Sequence, residues 1–181
     1  MKEIDVNIAY RLLATGAVII VSAEHDGVKG CMTCAWNMPL DYNPSKIALV
    51  MSKESDTRKL LEKSKQFVIG IPGKSMKDKV LKIGSCHSAS IDKFADFGLG
   101  NSSAKSVKAP VPEGCLAYLE CTLIDEPSIA DKYDLLLAEV KSAYAQEGVF
   151  EDELMCSGED TSVLHHVSGG KFMLDGKVIG E

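Results

Sequence analysis

Residues 17–36, AVIIVSAEHDGVKGCMTCAW, constrain this chain more than any other stretch. Ala17 to Ala23 is a continuous apolar run rich in β-branched residues, which suits a buried, pleated strand. It ends at Glu24-His25-Asp26-Gly27, and Asp-Gly supplies the positive backbone angles of a tight hairpin turn. Val28 to Trp36 then reads as the return strand. In the return strand Cys31 and Cys34 show the C-x-x-C spacing of redox and zinc sites. A strand defeats that reading, because positions three apart point to opposite faces. A zinc site also needs a second ligand pair, and neither Cys86-His87 nor His165-His166 has the usual spacing. Thr33 and Ala35 instead face one way, small enough to let a planar ligand approach the backbone, although a core strand ending in a buried Trp is the commoner case.

The rest of the chain continues in short strands. Residues 4–14 read as a short helix or an extended lead-in. Pro39, Asp41, Asn43 and Pro44 predict a loop, and Ile47 to Ser52 a third strand. A short helix follows, capped by Ser55 or Asp56, with Leu60 and Leu61 facing inward. Gln66 to Ile71 is a fourth strand, stopped by Pro72-Gly73. A second helix begins at Ser75, with Val80, Leu81 and Ile83 as its apolar stripe and Gly84 as its stop. Ser85 to Lys108 is mostly polar, with one helical turn around Ile91 to Phe97 and a loop from Gly98 to Ser103. Cys115 to Ile124 and Leu135 to Ala145 are further strands, and Lys171 to Ile179 a hairpin centred on Asp175-Gly176. Few strands are separated by full crossover helices, which argues against a doubly wound parallel sheet. The pattern predicts a mainly β fold with inserted short helices, an antiparallel barrel that closes its own edges.

With 181 residues the chain is long enough for one domain with a sizeable core, and the whole of it, residues 1–181, is read as that domain. Its net charge of −6 leaves no basic surplus for a nucleic-acid or acidic-membrane binder, yet permits one bound phosphate. No apolar run is long enough to span a bilayer and no signal peptide begins the chain, so the expected location is cytoplasmic. Six cysteines are then mostly buried thiols.

One segment invites an anion. Ser52-Lys53-Glu54-Ser55-Asp56-Thr57-Arg58 leaves a strand and enters a helix, whose first amides lack internal partners and carry partial positive charge. Ser55 and Thr57 add hydroxyls; Lys53 and Arg58 add charge, Arg58 being one of only two arginines. Alone, such a turn reads first as a capped surface helix, because caps far outnumber phosphate sites. Cys86-His87 reads as a polar loop rather than a catalytic pair, since sequence neighbours rarely face each other. The pair His165-His166 reads as structural or exposed, with no metal expected.

Taken in order, these segments resemble a known family. The hairpin, the Pro-containing loop, IALVMSKESDTRKLLEKSKQFVIGIP, the segment Asp92-Lys93-Phe94, and Ala109-Pro110 through Leu119-Glu120-Cys121 are similar to the flavin reductase-like, FMN-binding split-barrel family, near its flavoredoxin branch. The resemblance spans roughly residues 10 to 179. It implies an antiparallel Greek-key split β-barrel, a homodimer, and FMN in a groove at the subunit interface. By position, Thr33, Cys34, Ala35 and Trp36 would line the ring and ribityl chain, and Ser52, Lys53, Ser55 and Thr57 would hold the ribityl and phosphate groups. Arg58 is added mainly on charge.

The chain departs from the family on the substrate side. Many relatives carry Asn at the position of Gly30, a Ser-Gly-basic segment where Ser85 to Ser90 stands, and Asp-His near Asp131-Lys132-Tyr133. The implied activity is that of an NAD(P)H-dependent flavin reductase-like oxidoreductase, which requires no side-chain acid or base because the flavin carries the electron chemistry. The alternative is a flavoredoxin-type carrier that passes electrons between redox proteins without nicotinamide activity of its own.

Overall fold

The computed structural model describes residues 3–86, 91–151, 153–154, 158 and 161–174. After a 3-10 helix over Val6–Leu12, the chain forms β1 (Ile19–His25), β2 (Val28–Cys34), β3 (Asn37–Tyr42), β4 (Ser45–Val50), α1 (Asp56–Ser64) and β5 (Gln66–Ile71). Then come α2 (Lys77–Ser85), α3 (Lys93–Asp96), β6 (Asn101–Ser103), β7 (Pro110–Pro112), β8 (Ala117–Ile124), α4 (Pro127–Tyr133), β9 (Leu135–Ala145), β10 (Leu164–Ser168) and β11 (Lys171–Leu174). Seven strands pair antiparallel in the order β2-β1-β5-β8-β9-β4-β3. β6–β7 and β10–β11 make two small accessory ribbons.

The two edges of the large sheet, β2 and β3, are consecutive in the chain. Val50 N donates to Trp36 O at 2.9 Å, and the Cys34 thiol donates to Val50 O at 3.6 Å. The sheet therefore curls until the C-terminal end of β2 meets β4, while the rest of β2, paired with β1 on one side, has no strand on the other. The result is an antiparallel barrel split along β2.

Burial explains why β1 is apolar throughout. Ile19, Val21 and Ala23 face the barrel interior with Leu49, Met51, Phe67 and Leu136. Ile20, on the opposite face, packs under α2 and α3 with Cys31, Val80, Ile83 and Phe94. A strand covered on both faces needs no polar alternation, and each fully buried aliphatic or aromatic side chain contributes roughly 1.5–3 kcal/mol of transfer free energy. Leu61 plugs the interior from α1, as its inward assignment requires, while Leu60 is only partly buried.

Several elements differ from expectation. The predicted loop at Pro39 to Pro44 is largely strand β3, paired with β4 through a bulge between Pro39 and Asp41. Proline survives there because an edge strand can leave one backbone row unpaired. Part of the loop from Gly98 to Ser103 is β6, held by β7. Residues 127–133 form α4, started by Pro127 in its first turn. Lys171 to Leu174 does form a hairpin strand, but it pairs with β10 through Gly169-Gly170; Asp175-Gly176 lies outside the described residues.

Candidate functional site

The exposed edge of β2 forms the floor of a cavity of about 780 Å³. One wall is the Ser52–Thr57 turn and the cavity-facing side of α1, through Lys59, Leu60 and Lys63; the other is the end of α2 with Cys86, Ile91 and Lys93. This volume lies within the usual range of about 300–1,000 Å³ for ligand pockets. An edge strand offers one row of backbone N–H and C=O groups to whatever lies against it. Two glycines let the walls approach this floor. A Cβ on Gly30 would lie 2.9 Å from Leu60 Cδ1, and one on Gly84 2.6 Å from Thr33 Oγ1.

The Ser52–Thr57 turn is preformed. Ser55 N donates to Ser52 O at 3.0 Å, Glu54 N to Ser52 Oγ at 3.3 Å, and the Ser55 hydroxyl caps α1 by accepting from Arg58 N at 3.4 Å. Ser55, rather than Asp56, is thus the N-cap. Ser55 Oγ also lies 3.0 Å from the sulfur of Met32 on the cavity floor. Thr57 is 4% exposed and lines the cavity, to which its hydroxyl is open; among the described residues no side-chain N or O atom is buried without a partner. A hydroxyl open to a cavity from an otherwise buried residue is available to a ligand. It fits a ligand oxygen arriving at the first turn of a helix, where anions are favoured. The donor set suits FMN: hydroxyls and helix amides for phosphate, a bare strand edge for a flat polar ring.

The nine residues read from sequence do not all meet there. Thr33, Ser52, Ser55 and Thr57 line the cavity. Ala35 and Trp36 line a smaller, more apolar cavity of about 330 Å³ beside Tyr10, Leu13 and Met38. Thr33 and Ala35 do share a face of the chain, opposite Cys34, but the two cavities separate them. Cys34 points into the barrel core, where burial pushes its thiol up to about 11. Cys31 faces the other core, and burial pushes it to about 12. The C-x-x-C pair therefore spans the sheet, as alternation predicts. Lys53 turns away, donating to the backbone O of Asp131 and pairing with its carboxylate at 3.6 Å.

Arg58 is the clear correction. It is 2% exposed and does not reach the cavity. Its guanidinium donates to Glu62 Oε1 at 2.8 Å, Met51 O at 2.6 Å, Asp134 Oδ1 at 2.6 Å and Ala130 O at 3.0 Å. With four of its five N–H donors committed to Glu62 on α1, Met51 just after β4, Ala130 on α4 and the C-cap Asp134, it is a clamp beneath the turn, turned away from the cavity.

The other motifs resolve into packing roles. Asp92 caps α3 by accepting from Phe94 N and Ala95 N, Lys93 donates to Ile83 O at 3.1 Å across to α2, and Phe94 fills the outer core. Ser22 Oγ donates to Pro110 O at 2.6 Å. Glu120, fully buried, accepts from the amides of Lys105 and Ser106. Asp131 to Tyr133 lie on α4, outside the cavity lining. Cys86 lines the cavity; His87 is outside the described residues. His165 and His166 lie in β10, and among the described residues no three His, Cys, Asp or Glu converge as a metal site. Sequence reading missed Gly30, Lys59, Lys63, Ile83, Gly84 and Lys93 as lining residues. The 55–59–63 spacing, one helix face four residues apart, was the available signal for the two lysines.

Comparison with known proteins agrees with this geometry. The model of the "Flavin reductase like domain" matches residues 10–164. The Escherichia coli K12 protein YddH is 33% identical, over 96% of this chain and 94% of its own length. A crystal structure described as an FMN-binding domain of a flavin reductases-like enzyme from Shewanella baltica OS155 is 32% identical, covers 98% of this chain and 95% of its own, and superposes with a TM-score of 0.87. Flavoredoxin of Desulfovibrio vulgaris (Miyazaki F), at 20% identity and a TM-score of 0.83 over 100% of this chain and 97% of its own, shares the fold.

Proposed function

Because the chain belongs to the flavin reductase-like family, we propose that it binds FMN in the cavity between β2 and α1 and acts as an NAD(P)H-dependent flavin reductase-like oxidoreductase. The observation that carries this is Thr57, a buried residue whose hydroxyl opens to the cavity at the first turn of α1 beside Ser52 and Ser55. These three hydroxyls and the first amides of α1 hold the phosphate. The edge of β2 from Gly30 to Thr33 lies along the ribityl chain and ring, directing backbone donors and acceptors at the polar rim of the flavin. Leu60 and Ile83 supply apolar contact and exclude water from the groove.

The bound flavin would supply the hydride and electron chemistry, and the protein its position and electrostatics. No side chain of this chain is assigned an acid or base role. The thiols of Cys31 and Cys34, held protonated by burial, are not nucleophiles. The apolar patch around Trp36 and Met38 supports a second copy of the chain packing there, which would bring the ring end of the site to a subunit interface. Among the described residues no helix is long and apolar enough to cross a membrane.

The test is absorbance and turnover. The purified protein, reconstituted with FMN and desalted, retains flavin absorbance and oxidises NADH or NADPH faster than free flavin does. Retention of FMN with rapid reduction by a reduced ferredoxin and slow reduction by either nicotinamide assigns the electron-carrier role instead. Failure to retain or respond to FMN at all overturns the site.

A further inference from the structure

The sequence placed the phosphate-neutralising charge on Lys53 and Arg58, and the structure has spent both. Lys53 is held by Asp131 and Arg58 is buried under the turn. A phosphate carried on hydroxyls and helix amides alone would leave most of its charge uncompensated, while Glu54 and Asp56 also line the cavity and repel it. The cavity nonetheless carries cations. Lys59 and Lys63 stand one turn apart on the face of α1 that lines it. Lys59 Nζ lies 3.2 Å from Asp56 Oδ1 and 3.3 Å from Glu54 O. It therefore offsets the carboxylate that most directly opposes an anion at the first turn. Lys63, four residues on, has no ion-pair partner among the described residues and reaches the same cavity with a free charge.

We infer that Lys59 and Lys63, at the ends of the first and second turns of the phosphate helix, are the residues that make this cavity select a phosphorylated flavin over riboflavin. The inference rests on the FMN reading above. In it Lys63 swings toward the phosphate, and Lys59 divides its charge between Asp56 and the ligand. Asp56 is the built-in opponent: it stabilises the first turn of α1 through the helix dipole and weakens the anion bound there. The lysine pair stands on the phosphate helix itself, whereas the other lysines of the lining are engaged elsewhere, Lys29 with Asn101 Oδ1 and Lys93 with Ile83 O.

The experiment is titration of the apo-protein with FMN and with riboflavin, followed by flavin fluorescence, at low and moderate salt. The wild type is expected to prefer FMN, more so at low salt. In the double variant Lys59→Gln/Lys63→Gln, FMN affinity falls about tenfold, the scale of losing exposed charge pairs to the phosphate, while riboflavin affinity stays within about twofold. The salt dependence of FMN binding flattens in parallel. Lys59→Arg/Lys63→Arg retains the preference, Asp56→Asn tightens FMN without changing riboflavin, and Lys53→Gln changes neither. A double Gln variant that holds FMN as the wild type does, or that loses riboflavin equally, overturns the inference while leaving the site intact. A wild type that binds neither flavin, or binds both equally, overturns the phosphate site and the inference with it.

Discussion

At the scale of single residues, Thr57 and Arg58 are neighbours in sequence and opposites in role. Thr57 opens its hydroxyl to the cavity; Arg58 turns inward and satisfies Met51, Glu62, Ala130 and Asp134. Thr57→Val keeps the shape and removes the hydroxyl. It is expected to weaken FMN binding by about 1.5–3 kcal/mol, the net worth of one hydrogen bond to a charged group. The stability of the apo-protein should stay unchanged, because the hydroxyl supports nothing in the fold. Parallel FMN titration and urea unfolding separate the two effects, and a Cys31→Ala variant, altered in the outer core, should show the reverse ranking. Arg58→Gln strands two carboxylates and two backbone carbonyls. Both carboxylates are more than a third exposed, so water offsets part of the loss. The expected cost is about 2–3 kcal/mol of unfolding free energy, below that of a fully buried broken pair. Riboflavin and FMN should still be distinguished by whatever Arg58→Gln protein remains folded. The hydroxyl pattern at 52, 55 and 57 was legible in sequence because capping and anion binding use the same local geometry. The role of Arg58 was not: its decisive partner, Asp134, is 76 residues away.

At the scale of elements, legibility followed local signal. β5 and β9 fall where alternation and punctuation put them, Gln66–Ile71 and Leu135–Ala145. β3 was hidden because its prolines read as a turn, and only its place at a sheet edge lets it be a strand. α4 was hidden because seven residues carry too little periodicity to announce a helix. The strand β8 carries a device that no local pattern shows. Burial pushes the Glu120 carboxyl up, but the amides of Lys105 and Ser106 and the Tyr144 hydroxyl donate to it and outweigh burial, so its pKa is lowered from the usual 4.5. A carboxylate with a depressed folded pKa contributes stability that is present above its unfolded value and is lost as pH falls through the folded one. Its tyrosine partner works in the opposite limb. Burial first, and then the Glu120 charge, push Tyr144 to about 12, so the stability it adds is full below pH 10 and fades as pH rises toward 12. Glu120→Gln is therefore expected to lower stability at neutral pH and to flatten the acid side of the stability curve below pH 4.5. Chemical denaturation between pH 3 and 7 measures this; an unchanged acid slope in the variant would show that other carboxylates set it.

At the scale of the whole molecule, the split in the barrel creates both surfaces that matter. Because β2 meets β4 only at its C-terminal end, the outer backbone row of the rest of β2 stays open as a cavity floor. Because the chain then crosses from one sheet edge to the other at Trp36, the apolar start of β3 is left on the outside. Trp36 is 50% exposed and Met38 56%, and the 3-10 helix and its C-cap add Tyr10 and Leu13 to the same patch. An apolar surface of this kind beside a binding groove is the usual mark of an interface, and a symmetric homodimer needs only one such patch on each copy. Met38→Glu places a charge in the middle of it without touching the barrel core or the Ser52–Thr57 turn. The proposed homodimer predicts that light scattering finds a dimer for the wild type and a monomer for Met38→Glu. FMN retention should fall if the ring end of the site is completed by the second copy, and the FMN-over-riboflavin preference, set by α1 within one chain, should persist. A wild type that is monomeric at micromolar concentration would instead leave this apolar surface to a different protein partner, the arrangement an electron carrier would require.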